Sequence, residues 1–69
     1  MDTLRLTLNG EPREVPAGTT VAALLSHLRV GKGAVAVEIN AEVVRRAEHG
    51  TRVLADGDQV EIVTFVGGG

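Results

Sequence analysis

Polar and apolar residues alternate over Thr3-Leu4-Arg5-Leu6-Thr7-Leu8. Successive side chains of a strand point to opposite faces, so a period of two predicts a half-buried strand with Leu4, Leu6 and Leu8 inward. Asn9-Gly10 follows. Both residues tolerate the positive φ of a tight hairpin, so the chain is expected to return over Glu11 to Val15 as a second strand. Pro12 has no amide hydrogen to donate, which suits an edge or an unpaired position. Pro16-Ala17-Gly18 then breaks the pattern. Val21, Leu24, Leu25 and Leu28 fall at i, i+3, i+4 and i+7, which makes one apolar face on a helix of about two and a half turns. Thr19 or Thr20 supplies the hydroxyl that caps it. Gly31-Lys32-Gly33 is expected to end it.

Ala34 to Asn40 reads as a largely buried strand in which only Glu38 is charged. Glu42-Val43-Val44 predicts a short strand. Arg45 to Arg52 is polar and irregular, with a single helical turn near Glu48-His49. Val53-Leu54 offers an apolar anchor before Asp56-Gly57-Asp58. In that turn an Asp caps its own backbone and Gly takes the left-handed position. Gln59 to Val66 is the last strand. The order is a strand pair, one helix, then two or three more strands. It predicts an α+β fold of the β-grasp (ubiquitin-like) type. A mixed sheet of roughly four to five strands would carry one main helix on one face. The globular domain is expected over residues 1–66, with a flexible Gly-Gly-Gly tail over 67–69.

The end of the chain carries the candidate chemistry. Val66-Gly67-Gly68-Gly69 follows the final apolar run directly. Glycines have no side chains to pack, donate or catalyse, and without Cβ they enter narrow slots. What they present is the α-carboxylate of Gly69. With Val60, Ile62 and Thr64 facing the helix, Glu61, Val63 and Phe65 point to the open side. Phe65 is the single aromatic residue of the chain. Two registers are open for it: outward, as part of an apolar docking spot beside the tail, or inward, closing the base of the core.

A carboxylate is a poor acyl donor until it is activated, commonly as an acyl-adenylate made with ATP and Mg²⁺. This sequence has no phosphate-cradling Gly-x-x-x-x-Gly-Lys loop and no paired acid–base constellation. Activation therefore belongs to a separate enzyme, and the chain reads as a protein co-substrate rather than an enzyme. The activated Gly69 would take either a lysine amine, giving a protein conjugate, or sulfur, giving a thiocarboxylate.

Composition narrows the rest. There is no cysteine, hence no disulfide and no thiolate metal site. Nine acidic residues against seven basic ones give a net charge of −2, and Trp and Tyr are absent. Nucleic-acid binding is therefore not expected, because it asks for a basic face and stacking aromatics. The start Met1-Asp2-Thr3 has neither a basic region nor a long apolar run, and no stretch approaches a membrane span, so a cytoplasmic location without membrane contact is expected. His27 and His49 lack a matched ligand spacing and read as solvated. Asp56-Gly57-Asp58 lacks the remaining oxygens of a calcium loop. Lys32 reads as a solvated loop residue. Arg45, Arg46 and Arg52 read as a solvated or salt-bridged surface, with an acidic partner as the alternative.

The Asn9-Gly10 hairpin, Val15 to Val21 leading into Leu24-Leu25, the Val37-Glu38-Ile39-Asn40 strand and the ending from Asp56 to Gly69 resemble the ThiS family of sulfur carrier proteins of thiamine biosynthesis. The resemblance covers essentially the whole chain, and its terminal segment is the most specific part. It implies that a ThiF-type adenylyltransferase, using ATP and Mg²⁺, converts the Gly69 carboxylate to an acyl-adenylate. Sulfur derived from cysteine through a desulfurase then gives the thiocarboxylate, and the thiazole synthase ThiG takes that sulfur. Gly68 and Gly69 match the functional di-glycine; Val66 and Gly67 match the extended approach to it. Partner contacts are expected at Val63, Phe65, Val66, Gly67 and Gly68, with no cofactor or metal bound by the chain itself. Two departures stand out. Arg45 to His49 lacks the Pro and Trp often seen there, and Ala22-Ala23 stands where an acidic residue often sits. The MoaD-like small subunit of molybdopterin synthase and a ubiquitin-like modifier are the alternatives on the same fold.

Overall fold

The computed structural model describes residues 2–28 and 35–64. The chain forms β1 (Thr3–Leu8), β2 (Glu11–Pro16), α1 (Val21–His27), β3 (Val35–Ile39), β4 (Glu42–Val44), a single 3-10 turn (Arg46–Glu48) and β5 (Gln59–Thr64). The strands make one five-stranded sheet in the order β2-β1-β5-β3-β4. β1 and β5 are parallel, whereas β1·β2, β3·β4 and β3·β5 are antiparallel. This is the expected β-grasp arrangement, with the last strand in the middle of the sheet.

Local chemistry explains each element. Asn9 and Gly10 both take positive φ, +50° and +84°, so the hairpin closes in two residues. β2 lies at the sheet edge, where Pro12 and Pro16 are tolerated and blunt pairing with another chain. The cap of α1 is Thr20, whose Oγ1 accepts from the Ala23 amide (3.1 Å). Thr19 instead donates its hydroxyl to the Pro16 carbonyl (2.6 Å). The other two amides of the first turn are met from a distant segment. Val21 donates to the Arg52 carbonyl (3.0 Å) and Ala22 to the His49 carbonyl (2.8 Å). The irregular stretch after β4 is thus part of the helix cap, which its polar sequence does not reveal.

Regular helix ends at His27, with Leu28 as its C-cap. Its seven residues make about two turns, and Leu28, at φ −79° and ψ −6°, closes the last one through its bond to Leu24. The Gly31-Lys32-Gly33 stop signal lies outside the described residues, as do Ala34 of the third predicted strand and residues 65–66 of the last.

One core joins the helix to the sheet. Val21, Leu24, Val37, Ile39 and Val60 are essentially inaccessible, and Leu6, Leu8, Val15, Val44 and Leu54 complete the buried cluster. Leu4, Leu25, Leu28 and Ile62 pack against its margin. Each fully buried aliphatic side chain contributes about 1.5–3 kcal/mol relative to exposure. Thr64 shares the helix-side face with Val60 and Ile62, opposite Val35, but it is exposed at the end of β5 and adds nothing to the core. The expected apolar anchor needs correction. In Val53-Leu54 only Leu54 is an anchor; Val53 is 51% exposed and serves through its backbone, bridging to Thr20.

Among the described residues, the one buried charge is Asp58, 7% exposed. It sits in the Asp56-Gly57-Asp58 turn, where Gly57 takes φ +87°. Its Oδ2 accepts from the Ala55 amide (2.8 Å) and its Oδ1 from Asn40 Nδ2 (3.0 Å). Asp56 Oδ1 accepts from the Arg5 amide (2.8 Å), and Gly57 donates back to the Arg5 carbonyl (2.7 Å). The predicted Asp-capped turn is therefore present, and it also ties β1, β5 and the β3–β4 turn together. Asp58→Ala leaves two donors without their acceptor. It is expected to cost about 2 kcal/mol, seen as a lower urea midpoint at unchanged slope. An unchanged midpoint would show that water replaces both bonds.

Candidate functional site

The single helix covers one face of the sheet. On the other face, the register places side chains that no other element covers. Ala36 of β3 lies opposite Val63 of β5; Glu38 lies opposite Glu61 on one side and Val43 of β4 on the other. Val43 and Val63 are 69% and 54% exposed. The outward placement expected for Glu61 and Val63 is the one observed. Val43 joins Val63 on this face, although its short strand carried no such signal. Two valines on an open face, close to where β5 ends, form a small apolar surface.

The two carboxylates are the second feature. Glu38 and Glu61 face each other directly across β3 and β5. Like charges in this position are destabilising, by roughly 0.2–1 kcal/mol. Among the described side chains, Arg5 and Glu14 form an ion pair (3.3 Å) on the same open face, across β1 and β2. This acidic row was not legible in the sequence, since Glu38 and Glu61 are far apart along the chain.

β5 is held in place by two turn asparagines. At its upstream end, Asn40 donates its backbone amide to the Gln59 carbonyl (2.8 Å), and the Gln59 amide donates to Asn40 Oδ1 (2.9 Å). At its downstream end, Asn9 donates its amide to the Val60 carbonyl (2.8 Å). The Asn9 side chain then accepts from the Ile62 amide (2.8 Å) and donates to the Ile62 carbonyl (3.3 Å). Both asparagines have positive φ, +50° at Asn9 and +53° at Asn40. Short polar side chains adopt that conformation with local hydrogen bonding.

Phe65, Val66, Gly67, Gly68 and Gly69, together with the two registers open to Phe65, lie outside the described residues. So does Lys32. Among the other candidates, His27 is exposed. It lines a groove of about 220 Å³ between β2 and α1 with Glu14, Val15, Thr19 and Leu24. That is smaller than the usual small-molecule pocket of about 300 Å³ or more. His49 is not simply solvated: it is half-buried, and its Nε2–H donates to the Val44 carbonyl (3.1 Å). It fixes the loop after β4 rather than meeting a ligand. Arg45 and Arg46 are exposed and Arg52 is half-buried. Among the described residues, no group of three or more His, Cys, Asp or Glu is placed to hold a metal ion. No described helix is long and apolar enough to cross a membrane.

The sequence and the fold both have known counterparts. The thiamine biosynthesis protein ThiS of Geobacter metallireducens superposes with a TM-score of 0.81 at 40% identity, covering 96% of this chain and 100% of that one. A sulfur carrier protein ThiS of Thermus thermophilus is 42% identical over 62 residues, covering 90% of this chain and 95% of the relative. A thiazole synthase of Magnetococcus marinus is 47% identical over 66 residues, and another from Paramagnetospirillum magneticum is 46% identical. This chain spans only 20% of the length of each of those two proteins. The model of the ThiS family matches residues 6–69, from the first buried leucine to the last glycine. On that match, and on the shared fold, the chain belongs to the ThiS family.

Proposed function

We propose that this chain is a sulfur carrier of thiamine biosynthesis that works through the carboxylate of Gly69. The observation that carries the reading is the family match, which runs without interruption through the central strand β5 and on to Gly67-Gly68-Gly69. A ThiF-type adenylyltransferase with ATP and Mg²⁺ forms a Gly69 acyl-adenylate and releases pyrophosphate. A persulfide, charged from cysteine through a desulfurase, attacks the Gly69 carbonyl, displaces AMP and forms an acyl disulfide. A second thiol then attacks the sulfur of that bond distal to the carbonyl, forming a disulfide and releasing the thiocarboxylate. The thiazole synthase ThiG consumes that sulfur. The relatives named thiazole synthase support this recipient, because a stretch similar to this chain makes up a fifth of each. The reading assigns these steps to the cytoplasm, a compartment that supplies the ATP they need.

In this reading, the chain contributes an acyl end and a docking surface, and the chemistry resides in its partners. The open face formed by Val43, Val63 and Ala36 is the described part of that surface. Phe65, Val66, Gly67 and Gly68 are the further partner contacts of this reading.

Three measurements test the proposal. Intact mass of the protein isolated from cells is expected to show the oxygen-to-sulfur increase at the C-terminal residue; a lysine-linked adduct instead would support the modifier class. Deleting Gly69 is expected to abolish ATP-dependent adenylation while leaving the unfolding midpoint unchanged, since no residue of the core is touched. Continued thiocarboxylate formation by the truncated chain would overturn the assignment. Val43→Ser and Val63→Ser are expected to change stability by no more than about 0.5 kcal/mol, as exposed positions do. Each is expected to weaken binding to the adenylating enzyme by about tenfold. Unchanged affinity would remove the open face from the interface.

A further inference from the structure

We infer that Asn9 is a positioning residue for the acyl end: its side chain acts as one more rung of the β1·β5 ladder and fixes the backbone of β5 at Ile62. Four observations converge on it. The parallel pairing of β1 with β5 is short, with only Thr7–Gln59 and Leu8–Val60 in register. β1 then departs, because Asn9 turns into the hairpin at φ +50°. Ile62 would face that gap with both its backbone groups. Instead, Asn9 Oδ1 accepts from the Ile62 amide (2.8 Å) and Asn9 Nδ2 donates to the Ile62 carbonyl (3.3 Å).

A carboxamide carries one acceptor and one donor, as a peptide group does. Asn9 therefore substitutes for the strand residue that the hairpin removes. The clamp closes two residues before the end of β5 and seven before Gly69. Beyond it, Val63 and Thr64 are paired on the β3 side with Ala36 and Val35. The clamp thus fixes both backbone groups of Ile62 in the strand that runs on to Thr64. Positive φ alone does not account for the residue, since glycine meets that requirement equally well. What glycine lacks is the two bonds to Ile62.

The functional half of this role rests on the sulfur-carrier reading; the structural half does not. Asn9→Gly keeps the turn and removes the clamp. Amide hydrogen exchange is expected to become about threefold faster or more at Ile62, Val63 and Thr64, while Leu4 and Leu6 of β1 stay protected. With ATP and the adenylating enzyme, KM for the variant is expected to rise about three- to tenfold with kcat little changed, the size of one or two lost hydrogen bonds. Asn9→Asp keeps the acceptor for the Ile62 amide and loses the donor, so its effects should be intermediate. It also carries the test if the glycine variant folds poorly. Uniformly faster exchange across the sheet, or no change at Val63 and Thr64, would overturn the clamp whatever happens to activity. Localised exchange with an unchanged KM would overturn its role in positioning. A wild-type chain that is never adenylated would sink the carrier reading instead, and the exchange pattern would still decide the clamp.

Discussion

The structure depends on the insertion of its last strand between its first and its third. β5 pairs with β1 in parallel and with β3 in antiparallel, so it joins two hairpins that do not otherwise touch edge to edge. Val60 delivers the buried contact that connects both halves to the helix. β5 is also the strand that precedes the C-terminal glycines, so in the proposed function stability and function share a strand.

The sharing explains where the polar groups lie. A central strand has both backbone edges to satisfy, and parallel pairing with β1 lasts for only two residues. Asn40, Asp58 and Asn9 supply the remaining partners from turns. Buried or half-buried backbone groups left without partners would cost about 1–3 kcal/mol each. In a domain this small that is a large share of the total stability. The turns of this protein are accordingly structural members and not spacers.

One helix for five strands leaves a face of the sheet uncovered. In a purely structural domain that face would be polar and its charges mixed. Here its β3–β5 half carries exposed Val43 and Val63 and two opposed glutamates, and the paired charges Arg5 and Glu14 lie on the β1–β2 half of the same face. Val63 lies near the end of β5, and Val43 stands on the far side of β3 from it, beside Glu38. In the proposed function this face is the surface on which partners would dock.

Most elements were legible in the sequence because their causes are local. The period of two in Leu4, Leu6 and Leu8, the spacing of Val21 to Leu28, the positive-φ pair Asn9-Gly10 and the Asp-Gly-Asp turn act over a few residues. The expectation for Gly69 likewise rests on a local feature, the run Gly67-Gly68-Gly69. What required the tertiary structure is whatever spans the chain. The contact of Asn9 with Ile62 crosses 53 positions, the opposition of Glu38 and Glu61 arises from strand order, and His49 and Arg52 cap a helix that precedes them by more than a turn of the fold. Patterning determines which face of a strand is buried; which strand lies beside it depends on how the whole chain returns upon itself to close one core.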